Sequence, residues 1–229
     1  MKKIVALLMF TAVLFGCKNY YVHQDFGQKT EAHKTIAILP FDVITTGKKP
    51  SNLTDQQLNQ LIDAERVAFQ ISLYNQILTS TNGGKRPINI EVQNFDITND
   101  LILKSGMTLE QASKENPVKM ADLLGVDAVQ KTRVQKTRYL SDLASFGIDL
   151  GQEILDNIPG LGTITDNVPM NIDKTNDIDV SSSIINRKDQ STLYTYAIKQ
   201  EIDYNTTSTE MVEFINRRIA KTFPYRQDK

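Results

Sequence analysis

Hydrophobic positions along the 229-residue chain fall into three kinds of segment: unbroken runs, period-two alternation and three-to-four spacing. The first segment is an unbroken run from Ile4 to Phe15, interrupted only by Thr11 and preceded by Lys2 and Lys3. From Lys18 to His33 the chain is polar and aperiodic, and this stretch reads as a tether. Thr35 to Phe41 is nearly all apolar, as a strand covered on both faces should be, with Pro40 ending it. Lys48 to Ser51 reads as a loop. Leu58, Leu61, Ile62, Ala68, Phe69, Leu73 and Ile77 then mark one face of a long amphipathic helix over about Thr54 to Thr79, stopped by Asn82-Gly83-Gly84.

Ile88 to Asn94 alternates as a second strand. Thr108-Leu109-Glu110-Gln111 has capping-box spacing and opens a short helix. Pro117 starts another, and Gly125 stands where a helix ends in the left-handed region. A third strand begins at Val126 and runs towards Arg138. The order β-α-β-α-β predicts an α/β fold, with α+β as the open variant: a mixed sheet with helices packed on it. Leu140, Leu143, Gly147, Leu150, Ile154 and Ile158 then form a helical stripe inside an insertion at about 140–170. A hairpin closes the pattern, with strands near Ile178–Ile185 and Leu193–Tyr204 about the turn Arg187–Gln190. A last helix follows over about Ser208 to Thr222, with Met211, Phe214, Ile215 and Ile219 on one face.

The leading run has the length of a secretory core and is too short to span a bilayer. It ends in Leu14-Phe15-Gly16-Cys17, which resembles the lipobox of bacterial lipoproteins. Gly16 leaves the scissile backbone open, and the Cys17 sulfur is the nucleophile that takes up the lipid. The expected organisation is a signal peptide at 1–16, a lipid-anchored tether at 17–33 and one α/β domain at 34–229. Cys17 is the only cysteine, so acylation leaves no thiol, disulfide or thiolate metal site. Cleavage removes Lys2 and Lys3 and takes the formal charge from -1 to -3, which gives no footprint for nucleic acid. Lys18 stands where an aspartate would hold a lipoprotein in the inner membrane. By resemblance to those sorting rules, the address is the outer membrane, facing the periplasm.

Ile36-Ala37-Ile38-Leu39-Pro40-Phe41, a long helix, and Ala121-Asp122-Leu123-Leu124-Gly125-Val126-Asp127-Ala128 together resemble the domain of CsgG-type lipoproteins and the N-terminal part of TolB. Phe223-Pro224-Tyr225 is similar to the close of periplasmic lipoproteins of this group. The resemblance covers about Thr35 to Arg138. It implies an envelope protein that works by assembly, with envelope proteins or a second copy of itself as partners, and not by catalysis. The helical stripe departs from the pore hairpins of a CsgG-type channel.

Candidate chemistry is sparse. His23 and His33 are the only histidines and both fall in the tether, which leaves a Ser-His-Asp arrangement or a histidine zinc site without its base or ligand. Asp179-Val180-Ser181-Ser182-Ser183 has the Asp-x-Ser-x-Ser spacing of metal-dependent adhesion sites, but it runs on into the predicted hairpin where such a site needs a loop and helix. Asp173, Asp177 and Asp179 lack the glycine and terminal glutamate of an EF-hand loop, and Gly83-Gly84-Lys85 lacks the rest of a P-loop. No cofactor, metal or catalytic residue is assigned. The stripe is either a helix that covers one face of the sheet, its glycines allowing close approach, or a partner-contact helix with Leu143, Gly147, Leu150, Gly151 and Ile154 at the contact and Asp142, Asp149, Glu153 and Asp156 on its polar side. The alternative is a small-molecule or glycan-binding lipoprotein, whose mark would be a concave apolar pocket with a few converging polar groups.

Overall fold

A computed structural model describes residues 19–47, 54–79, 87–137, 175–203, 206 and 208–226. The strands are β1 (Tyr20–Val22), β2 (Thr35–Ile38), β3 (Asp42–Thr45), β4 (Glu91–Val92), β5 (Ala128–Lys136), β6 (Thr175–Asn186) and β7 (Thr192–Asp203). The helices are α1 (Phe26–Thr30), α2 (Asp55–Thr79), α3 (Phe95–Lys104), α4 (Leu109–Lys114), α5 (Pro117–Leu124) and α6 (Ser208–Lys221). The seven strands form one mixed sheet in the order β1-β7-β6-β5-β2-β4, with β3 also beside β5. This is the α/β fold expected from the pattern.

Strand β2 runs parallel to both β4 and β5, and β3 runs parallel to β5 further along it, with Asp42 opposite Arg133. So β2 and β3 are two parts of one line, broken at Leu39-Pro40-Phe41. Proline has no N–H to give a ladder, which places the break. From β5 onward the pairing is antiparallel through β6 and β7 to β1.

The stretch read as a tether is part of the fold from Tyr20 on. Tyr20, Tyr21 and Val22 pair with Tyr196, Thr195 and Tyr194, and helix α1 follows at once. Three residues carry no periodicity of their own; the free edge of β7 supplies their partners. The lipobox residues Leu14, Phe15, Gly16 and Cys17 lie outside the described residues. So do the helical insertion and the contact residues Leu143, Gly147, Leu150, Gly151 and Ile154.

Helices α2 and α6 cover one face of the sheet, where Phe69, Leu73, Ile215 and Ile219 pack on Ile36, Ile38, Val134, Val180 and Tyr194. Helices α3, α4 and α5 cover part of the other, where Ile102, Ala112 and Met120 pack on Ala37, Leu39 and Val129. The helix signals hold where local chemistry sets them. Thr108 and Gln111 close a reciprocal capping box, Asn116 caps α5 with Pro117 at its start, and Gly125 ends it at φ 67°.

Two expectations need correcting. Helix α2 does not bury a single face: every residue from Ala64 to Leu73 is buried, charged ones included. The alternation over Ile88–Asn94 yields only the two-residue β4 and an isolated bridge between Ile88 and Arg226. Helix α3 was not anticipated, because its polarity runs against its burial. Thr98 and Asn99 face inward, while Ile97 is 54% and Leu103 57% exposed.

Candidate functional site

Two polar constellations stand out among the described residues, one at each end of the parallel strands. The first is an open cleft of about 580 Å³ at their N-terminal end. Helix α1 and the turn after it contribute Gln28, Lys29, Glu31 and His33; Asp127 precedes β5; Asn186, Arg187 and Lys188 come from the β6–β7 turn. Asp127 is placed by the left-handed Gly125, which turns the chain out of α5 and into β5. Its Oδ2 accepts from the backbone N–H groups of Lys34 (2.7 Å) and Thr35 (3.1 Å), and its own carbonyl accepts from Arg187 N–H at 2.9 Å. One side chain therefore holds the start of β2 beside the start of β5. Burial alone would raise its pKa, but the two N–H donors, with His33 and Arg187 nearby, hold the carboxyl below its ordinary value.

His33, expected in the tether, lines this cleft. Its Nδ1 lies 2.8 Å from the hydroxyl of Tyr225, whose ring also packs edge-on against Phe26. Burial lowers the His33 pKa below the ordinary value despite Asp127 and Asn186, so the ring is neutral at pH 7. Burial likewise pushes the Tyr225 hydroxyl up, so it stays protonated. Lys29 and Arg187 are each engaged by a carboxylate. Lys29 pairs with Asp189, whose carboxylate also takes Ser191, and these contacts hold Asp189 well below the carboxylate range. Arg187 reaches Asp122 at 3.8 Å. His33 with Tyr225 forms a strut between α1 and the C-terminal segment, and Asp127 spends its acceptor on backbone. The lining is amide and charge with Ala32 its one apolar member, not the apolar pocket set out for a small-molecule site.

The second constellation lies beneath α2 at the C-terminal end of the parallel strands, where open α/β sheets usually take ligands. Glu65 and Lys136, 0% and 1% exposed, meet at 2.9 Å, and Lys136 Nζ also donates to Thr45 Oγ1 at 3.0 Å. Arg66 donates to Phe41 O (2.6 Å) and Ser113 Oγ (2.8 Å). Gln70 Nε2 donates to Ile38 O at 2.8 Å, and Asn99 donates to Gln70 Oε1 at 2.9 Å. Gln70 and Arg66 thus satisfy the Ile38 and Phe41 carbonyls, which the break between β2 and β3 leaves without a ladder partner beyond the short β4. Glu65, Lys136 and Thr45 pair among themselves, and Arg66 and Gln70 serve the backbone.

Asp179, Ser181 and Ser183 alternate along β6 opposite Lys199, Ala197 and Thr195. They stand two apart on one face of a continuous strand, with Asp179 and Ser181 exposed, and do not converge as an adhesion site requires. With Arg133 of β5 they belong to a stretch of sheet beyond α4 and α5 that no helix covers among the described residues. Among the described residues no three His, Cys, Asp or Glu gather as metal ligands, and no helix is long and apolar enough to cross a membrane.

No family model and no curated protein matches the chain. Among solved structures, the chain is similar to lipoprotein GNA1162 from Neisseria meningitidis at 10% identity, covering 82% of this chain and 96% of that one, with a TM-score of 0.41. The PelC dodecamer from Paraburkholderia phytofirmans is 7% identical over 85% of this chain and 90% of that one, at a TM-score of 0.43. The LpoB C-terminal domain from Salmonella enterica is 8% identical over 78% and 92%, at 0.31. All three are remote likenesses.

Proposed function

We propose that this chain is a non-enzymatic envelope lipoprotein, anchored through acylated Cys17 at the periplasmic face of the outer membrane, whose α/β domain binds other envelope proteins. The observation that carries the reading is the leader: Lys2-Lys3, the apolar run Ile4–Phe15, and Leu14-Phe15-Gly16-Cys17 at its end. Lys18 after the cysteine is the basis for the outer membrane. In this reading the broken strand at Pro40-Phe41 and the helix exit Gly125-Val126-Asp127 carry the likeness to CsgG-type and TolB N-terminal domains.

Protein binding is supported by the kind of surface on offer. The cleft at His33 is open and lined by charged and amide side chains, and the exposed face of β5, β6 and β7 carries small and charged side chains. Such surfaces suit another protein better than an enclosed small molecule. Hydrolysis through His33 has no support in its contacts. The ring is tied to Tyr225, and the hydroxyl of Ser191 is bonded to Asp189.

Cross-linking of the lipidated full-length chain in its own membranes, followed by mass spectrometry of co-purified proteins, tests this role. The expected result is discrete adducts with envelope proteins or a second copy, weakened by Ser181→Glu on the exposed face of β6. A chain recovered only as an unlinked monomer contradicts it.

A further inference from the structure

The anchor and the fold are closer together than a tether allows. Cys17 precedes Asn19 by two residues, and the Asn19 carbonyl already accepts from Ala197 N–H of β7 at 2.9 Å. Two residues of extended chain reach at most about 7 Å. Resting on the lipoprotein reading above, we infer that the β1 edge of the sheet is a membrane-contact surface, seated in the lipid headgroups beside Cys17 and fixing the domain edge-on to the bilayer.

The side chains at that edge suit a lipid surface. Four large hydrophobic side chains are exposed among the described residues, and two of them are consecutive in β1: Tyr21 (49%) and Val22 (37%). Neighbouring residues of a strand point to opposite faces, so this edge is apolar on both sides, as an edge-on approach requires. Tyrosine places an apolar ring and a polar hydroxyl at one depth, which matches the headgroup boundary. Arg218 and Lys221 of α6 are exposed nearby, where Arg218 bonds Tyr196, the strand partner of Tyr20, and they favour anionic headgroups. The far edge, at β4, lies five strand spacings away, or about 24 Å, and the exposed Leu103 belongs to α3, which packs on the neighbouring β2.

The chain contains no tryptophan, so an introduced indole is the sole reporter. The acylated full-length protein carrying Tyr21→Trp, Val22→Trp or Leu103→Trp is reconstituted in phosphatidylethanolamine–phosphatidylglycerol vesicles with shallow-brominated lipid. Indoles at 21 and 22 are expected to shift to the blue and to be quenched several-fold more strongly than the indole at 103. Two edge variants keep the test open if one disturbs the strand. Acylated protein in which 21 and 22 are no more quenched than 103 overturns the inference and leaves the lipoprotein reading intact. Absence of lipid on Cys17, read from the mass of the N-terminal peptide, overturns both.

Discussion

Asp127 shows how much a single side chain can set. Its carboxylate takes the N–H groups of Lys34 and Thr35, and its carbonyl takes Arg187, so three separate segments register on one residue. The pH dependence follows from direction alone. A carboxyl held below 3.8 in the fold contributes stability that is complete above the unfolded value and is lost as pH falls through the folded one. His33, lowered from 6.5, contributes in a higher window: that share is complete above 6.5 and is lost as pH falls from there to its folded value. Urea unfolding from neutral pH downward should therefore weaken in two stages. His33→Gln should flatten the upper stage and Asp127→Asn the lower; because the Asp127 charge also raises the His33 pKa, Asp127→Asn should in addition deepen the upper stage. Identical profiles for all three proteins would contradict the assignment. The motif Leu124-Gly125-Val126-Asp127 was legible in the sequence as a helix stop and strand entry, because left-handed glycine is a local matter. What the carboxylate does was not legible, because its partners lie more than ninety residues away.

At the scale of elements, the departures from expectation share one cause. The break at Pro40 leaves Ile38 and Phe41 carbonyls to be satisfied, and helix α2 supplies Gln70 and Arg66 for them. Those positions look like a solvent face in the sequence, since burial is expected to follow hydrophobicity. Here it follows the needs of the backbone. The same inversion hid α3, where Asn99 turns inward to Gln70 and Ile97 turns out. The tether was misread for a related reason: β1 is a strand only because β7 has an open edge. Long, regular elements such as α2, β5, the hairpin and α6 were read to within a few residues. The Glu65–Lys136 pair gives a direct check on the buried network. Glu65→Leu alone strands a buried ammonium and should cost about 3–5 kcal/mol, whereas Glu65→Leu with Lys136→Met should recover most of that. Chemical denaturation of both variants decides; an additive loss in the double variant would show that the two charges do not depend on each other.

For the whole molecule, the sheet has two unlike edges and two unlike faces. One face is closed by α2 and α6, the other partly by α3, α4 and α5, which among the described residues leave β6, β7 and the end of β5 uncovered. In the proposed arrangement, the β1 edge meets lipid, and the uncovered face and the His33 cleft point to partners in the periplasm. Each part of that arrangement depends on the chain being cut after Gly16 and acylated at Cys17. Mass spectrometry of the N-terminal peptide, from protein extracted from membranes of the producing cell, tests this most directly. The account predicts a peptide beginning at Cys17 with acyl chains on its sulfur, and a Cys17→Ser protein that loses its membrane association. A peptide that retains Met1, or one that begins at Cys17 with a free thiol, would contradict it.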